Sequence, residues 1–169
     1  LAPYGSAARR AHGRAVLPGS VADRRQHSVL QVGGLVYTAV FNPFDGRKNW
    51  FDMIAAFCWA LREEPDATLI LKLTHHDSSE ALSAMLEDIA KLTPIRCRII
   101  LIDGYLSDIE YERLVGITTF AVNTSHGEGQ CLPLMEFMSA GKPAISPVHT
   151  AMYDYVDATT GFTVRSTPE

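Results

Sequence analysis

From residue 33 onward the apolar positions of this chain follow two alternating rhythms. "GLVYTAVFN" (34–42), "ATLILKL" (67–73), "CRIILID" (97–103) and "ITTFAVN" (117–123) are short, nearly unbroken apolar runs, rich in β-branched residues. Such runs predict strands buried on both faces. Between them, apolar residues recur at helical spacing. Met53, Ile54, Phe57 and Leu61 share one face of a predicted helix that Asn49 caps, with Asp52 three residues on and Pro65 as the stop. Leu82, Met85, Leu86 and Ile89 share another, opened by the capping-box pattern Asp77 to Glu80. Ser107 and Glu110 open a short third helix ending near Val115. Pro133 and Gly141 bracket a fourth. "KPAISP" (142–147) and "GFTVR" (161–165) read as two further short strands.

This alternation predicts an α/β fold. Its sheet is parallel, covered on both faces and wound through right-handed crossovers into a doubly wound, Rossmann-like arrangement. Residues 1–32 are rich in Ala, Arg, Gly and Ser and have no sustained period. They read as a linker or the tail of a preceding region, which leaves 33–169 as the domain. Ligands of such folds sit beyond the carboxyl ends of the strands, near the reversal of strand order. Function is therefore expected in segments 43–49, 74–78, 104–107, 124–132 and 147–152.

Bulk properties narrow the classes. A chain of 169 residues has room for one domain with a sizeable core. A net charge of -4 gives no basis for general nucleic-acid binding, so any phosphate must be held by a few local groups. Cys58, Cys97 and Cys131 are odd in number and widely spaced, and read as reduced thiols of a cytoplasmic protein. No apolar run has the ~18 residues of a membrane span, and the first twenty residues lack a signal-peptide core. The chain starts without Met and stops soon after its last predicted strand, so a truncated piece of a longer protein is expected.

Familiar phosphate and metal motifs fail. No G-x-G-x-x-G follows the first strand. Gly141-Lys142 lacks the earlier glycine of a P-loop and is followed by Pro143. His75, His76 and Asp77 are adjacent rather than spaced around a shared ion, and no metal site is expected. The informative stretch is "NTSHGEGQCLP" (123–133), a glycine-bearing loop between the fourth strand and a helix start. Unpaired N–H groups and the helix dipole make such a start a cradle for phosphate or diphosphate. Glu128 lies in that loop and Glu136 a turn into the helix. Carboxylates beside an anion site need another partner, and sugar hydroxyls supply it. Taken singly, each glutamate also fits a plain turn or helix-start position.

Ser125, Glu128, Gly129, Leu132, Pro133, Leu134, Glu136, Gly141, Lys142 and Pro143 together form the pattern S-x-x-E-G-x-x-L-P-L-x-E-x-x-x-x-G-K-P. This resembles the E-x7-E signature of glycosyltransferase family 4, in the donor-binding C-terminal domain of retaining enzymes with the GT-B fold. The resemblance spans roughly residues 34 to 165. "GRKNW" (46–50) is similar to the family's basic element, whose lysine contacts the donor diphosphate. A cation at a helix start opposes the dipole, which favours a ligand role for Lys48 and Arg47 over a solvated one.

The resemblance implies the following roles. Glu128, Lys48 and Arg47 are the candidate catalytic residues, Glu128 lying by the donor sugar. Glu136 binds the ribose hydroxyls. The backbone of Gly129, Gln130, Cys131 and Leu132 approaches sugar and diphosphate, and that of Gly104, Tyr105 and Leu106 reads the base; Tyr105 fits surface packing equally well. Gln130-Cys131 departs from the family's Phe-Gly. Asn42-Pro43 stands where an arginine is usual, with Arg47 as its substitute. Asp154 occupies an acidic position of the family, and His149 lies within topological reach of the crevice or serves as a core or capping histidine.

The implied activity is a retaining, hexosyltransferase-type transfer from a nucleotide-diphosphate sugar to an acceptor hydroxyl, in polysaccharide or glycan biosynthesis, with no metal required. The acceptor, a glycan or lipid-linked sugar, is bound mainly by a preceding domain, and the piece is expected to be inactive alone. The parent enzyme is expected in the cytoplasm, and peripheral association at the inner face of the membrane is compatible with such acceptors. Three alternatives stay open: a nucleotide-sugar epimerase of GT-B fold, a non-catalytic nucleotide-binding module, and a receiver-like domain, which would need more acid at the first strand's end than "FNPFDGRKN" holds.

Overall fold

The computed structural model describes residues 13–18 and 27–166. In chain order the elements are β1 (Gly13–Pro18), β2 (His27–Val32), β3 (Leu35–Phe41), α1 (Trp50–Leu61), β4 (Ala67–Leu73), α2 (Ser79–Lys91), β5 (Arg98–Ile102), α3 (Asp108–Ile117), β6 (Phe120–Val122), α4 (Leu132–Ser139), β7 (Ala144–Pro147) and β8 (Gly161–Val164). Single 3-10 turns occupy Gly46–Lys48 and Thr150–Asp154. β1 and β2 pair antiparallel, from Gly13 opposite Val32 to Pro18 opposite His27. The sequence reading expects no regular structure in this stretch; its residues 1–12 and 19–26 lie outside the described residues.

β3 to β8 form one parallel sheet in the order β5-β4-β3-β6-β7-β8. The chain winds outward from β3 through β4 to β5, then returns to place β6 against the other side of β3. Strand order thus reverses between β3 and β6, whose carboxyl ends lead into residues 42–49 and 123–131. All seven residues of β4 are buried, as expected of a strand inside a parallel sheet covered on both faces. Alternate side chains enter two cores. Ala39, Phe41, Leu69 and Leu71 join Met53, Ile54 and Phe57 of α1 and Met85 of α2. Val36, Ile70, Ile102, Ala121 and Ala144 join Leu114 and Ile117 of α3 and Leu134 and Phe137 of α4. Each large apolar side chain buried there contributes about 1.5–3 kcal/mol.

The predicted strands and helices are present with shifted ends, and local chemistry accounts for the differences. Ile117 closes α3 instead of opening β6 because it packs in the core with Leu114, while Thr118 Oγ1 donates to the Leu114 carbonyl. Ser107 and Glu110 form the predicted capping box. The other two predicted caps do not form. Asn49 precedes α1 in the left-handed region (φ 50°) and its side chain makes no cap bond. That geometry turns the chain from the 46–48 turn into α1, and Asn tolerates it better than most residues. Ser78 precedes α2, and Asp77 instead accepts from Ser79 N and Oγ in a local turn. α4 ends in a Schellman motif: Lys142 N donates to Phe137 O at 3.0 Å and Gly141 N to Met138 O at 2.9 Å, with Gly141 at φ 75°.

Candidate functional site

The site lies where the loops after β3 and β6 meet, and backbone bonds fasten the two together. His126 N donates to Arg47 O at 2.8 Å. Thr124 Oγ1 lies 3.2 Å from the carbonyls of both Lys48 and Asn49. Arg47 Nη1 reaches Gly127 O at 3.4 Å, while its Nε pairs with Asp45 at 2.7 Å. Within the 123–129 loop, Ser125 N donates to the Asn123 side chain and Ser125 Oγ to Gly127 O. The loop is therefore held by its own polar side chains rather than by packing.

Besides the exposed Arg47–Asp45 pair, this frame presents a buried one. Lys48 Nζ donates to Glu128 Oε1 at 2.5 Å, and the two side chains are only 16% and 4% exposed. They line a cavity with Asn123, Cys131, Pro133, Leu134 and the carboxyl half of β3. Removal of two charges from water is costly, and a close partner offsets it. Glu128 is clamped from behind as well. Its N–H donates to Thr150 Oγ1 at 3.0 Å, and its carbonyl accepts from Ala151 N at 3.3 Å. Thr150 holds a left-handed φ of 50° in doing so. Backbone strain of that kind persists only where surrounding bonds over-determine it.

Cys131 precedes α4, also in the left-handed region (φ 52°), where a glycine would sit without strain. Its thiol is pushed up to about 11, by burial first and then by the Glu128 charge, so it is a poor nucleophile at neutral pH. Tyr155 OH donates to Gln130 O at 2.7 Å, and burial together with Cys131 and Glu128 pushes the phenol up to about 12. Gly129, Gln130 and Leu132 are exposed around the mouth of the helix start.

The remaining predicted residues lie elsewhere. Glu136 is exposed on the flank of α4 facing α3, where Tyr111 OH donates to its Oε2 at 2.7 Å. Burial and then this bond raise the Tyr111 phenol well above its ordinary value. Glu136 thus has a different partner and a different groove from Glu128. Beyond β5, Gly104 takes φ 85°, Tyr105 is 83% exposed and Leu106 is buried in the core. His149 sits beside Thr150, its Nδ1 3.4 Å from Oγ1. Asp154 closes the 150–154 turn.

Lys72, Thr150 and Tyr155 escape the sequence reading. Lys72 is buried in β4, and its Nζ donates to Leu73 O and, at 2.7 Å, to Gly104 O, so it anchors the segment beyond β5. Burial lowers its pKa, opposed by Asp103. A lysine inside the apolar run "ATLILKL" is the signal that would have found it. Thr150 and Tyr155 carry no comparable mark.

No protein-family model matches this sequence, and no curated protein matches it. Solved structures do. One is the C-terminal domain of a group 1 family glycosyl transferase (LpcC) from Francisella tularensis, with TM-score 0.62 and 20% identity over 79% of this chain and 69% of that one. The fold is that of a GT-B C-terminal domain. Other matches agree. The UDP-forming α,α-trehalose-phosphate synthase of Burkholderia xenovorans has TM-score 0.57 and 15% identity over 78% of this chain. The catalytic domain of starch synthase IV from Arabidopsis thaliana, bound to ADP and acarbose, has TM-score 0.55 and 14% identity over 79%. The chain spans 32% and 26% of those two proteins. In GT-B terms, the Lys48–Glu128 crevice lies at the carboxyl edge of the domain's sheet, at its topological switch point.

Proposed function

We propose that this chain is the nucleotide-sugar-binding domain of a family 4-like glycosyltransferase that moves a sugar from a nucleotide-diphosphate donor to an acceptor hydroxyl with retention. The observation that carries this reading is the buried Lys48–Glu128 pair at the strand-order reversal, beside the start of α4. An ammonium beside the positive end of a helix dipole suits a diphosphate, and a carboxylate suits sugar hydroxyls. Lys48 stabilises the leaving diphosphate, with Arg47 next to it at the surface. Such stabilisation of developing charge is electrostatic catalysis, and no metal is required for it. Glu136 holds the ribose hydroxyls in the groove that Tyr111 borders, and the segment 104–106, anchored by Lys72, meets the base.

In this reading residues 33–169 form the donor half, 1–32 connect it to an acceptor domain, and the acceptor is a glycan or lipid-linked sugar. The parent works in the cytoplasm or at the inner face of the membrane. A thermal-shift panel of UDP, GDP and ADP sugars tests the assignment, since a ligand bound to the folded state raises the melting temperature by mass action. At least one donor is expected to raise it; a flat response to every nucleotide overturns the reading.

A further inference from the structure

The ion pair that marks the site also occupies it. Lys48 is the buried cation of this crevice, and its ammonium donates to Glu128 at 2.5 Å. The backbone on either side cannot give way easily. The 46–49 and 124–127 segments are bonded to one another, and Glu128 N and O are clamped by Thr150 and Ala151. A diphosphate that reaches Lys48 therefore either displaces the carboxylate by side-chain motion or shares the three-donor ammonium with it, and in both cases two anions compete for one cation.

The carboxylate, 4% exposed, then stands beside a second anion and shares or loses its cation. This arrangement is strongly unfavourable, because a buried charge that loses its partner retains the full cost of desolvation. A donor sugar removes the problem, since its hydroxyls donate to the carboxylate in place of Lys48. A nucleoside diphosphate has no hydroxyls beyond its second phosphate; its ribose hydroxyls lie at the other end of the diphosphate and, in this reading, go to Glu136. Resting on the nucleotide-sugar reading above, we infer that Glu128 is a specificity-determining residue that competes with diphosphate for Lys48, so that only a diphosphate bearing a sugar is held without penalty. Once the sugar has left, Glu128 recaptures Lys48 and promotes release of the spent diphosphate. One carboxylate therefore discriminates between donor and product, although both carry the same phosphates.

The test is calorimetric titration of the 169-residue chain and of Glu128→Gln with inorganic pyrophosphate, with UDP, GDP and ADP, and with their glucose conjugates. Glu128→Gln keeps the shape and removes the competing charge. It is expected to bind pyrophosphate and the matching free nucleotide at least roughly tenfold more tightly than the wild type, the order of one charge acting a few ångströms from another inside a protein. The glucose conjugate is expected to gain nothing or to weaken, so the ratio of the two affinities shifts toward the free nucleotide. Should Glu128→Gln fail to fold, Glu128→Ala is measured in its place with the same expectation. If the wild type binds nucleotides and the folded variant binds the free diphosphates no better, the competition is refuted while the nucleotide-sugar reading stands. If neither protein binds any of these ligands, the nucleotide-sugar reading fails and the inference falls with it.

Discussion

Tyr155 shows how a single residue ties the site to stability. Its hydroxyl donates to Gln130 O, and its surroundings favour the neutral phenol, so the folded pKa of about 12 lies above the ordinary 10.0. A group whose pKa is raised on folding adds stability that is complete below its unfolded pKa and is lost as pH rises through the folded value. Tyr155→Phe is therefore expected to be less stable than the wild type at neutral pH. The gap in urea midpoint should narrow as pH rises from 10 toward about 12. A gap that stays constant over that range would show that the phenol does not titrate in this setting. Cys131 holds a left-handed φ of 52° that a glycine would adopt without strain, and its thiol lies in the cavity wall.

At the scale of elements, the join between β3 and β4 depends on one missing atom. Gly34 takes φ 83°, and a Cβ built there would lie 1.9 Å from the Asp66 carbonyl oxygen, which itself accepts from Leu35 N at 2.8 Å. Gly34→Ala must therefore shift backbone where β3 enters the sheet. We expect a loss of at least about 2 kcal/mol in chemical denaturation, the scale of strain combined with overpacking. A loss below ~0.5 kcal/mol would mean that the strand entry is softer than its hydrogen bonds imply. The helix ends are of two kinds. Ser107–Glu110 and the Gly141 end of α4 use local signals readable within six residues. Asn49, Ser78 and Cys131 precede helices with no side-chain cap bond; Asn49 and Cys131 are left-handed, and Ser78 follows the local Asp77–Ser79 turn.

For the whole molecule, position in the sheet decides function. The described residues make one Rossmann-like domain, whereas a GT-B enzyme reacts in a cleft between two. The chain is accordingly expected to bind a nucleotide sugar without transferring it. A donor that raises the melting temperature, with no nucleotide released on incubation with glycan acceptors, meets that expectation. Sustained turnover by residues 1–169 would refute the two-domain reading.

The repeating apolar runs sufficed to determine the six strands of the parallel sheet and the four helices, because a strand buried on both faces has no polar positions to alternate with; they did not reveal the β1–β2 pair. Local capping chemistry likewise determined the start of α3 and the end of α4. Glu128, Lys48 and Arg47 were legible as candidates from loop composition and from the family resemblance. That Lys48 and Glu128 form one buried ion pair was decided only by the tertiary structure. They are eighty positions apart, and what joins them is the return of the chain to β6 beside β3. Glu136, eight positions from Glu128, lies instead against Tyr111, because a helix turns successive side chains to different faces and α3 packs on that side. Lys72 holds the segment beyond β5, and Thr150 and Tyr155 hold the loop before α4, through backbone carbonyls or N–H groups, which leave no mark in a side-chain pattern and exist only once the loops are folded against one another.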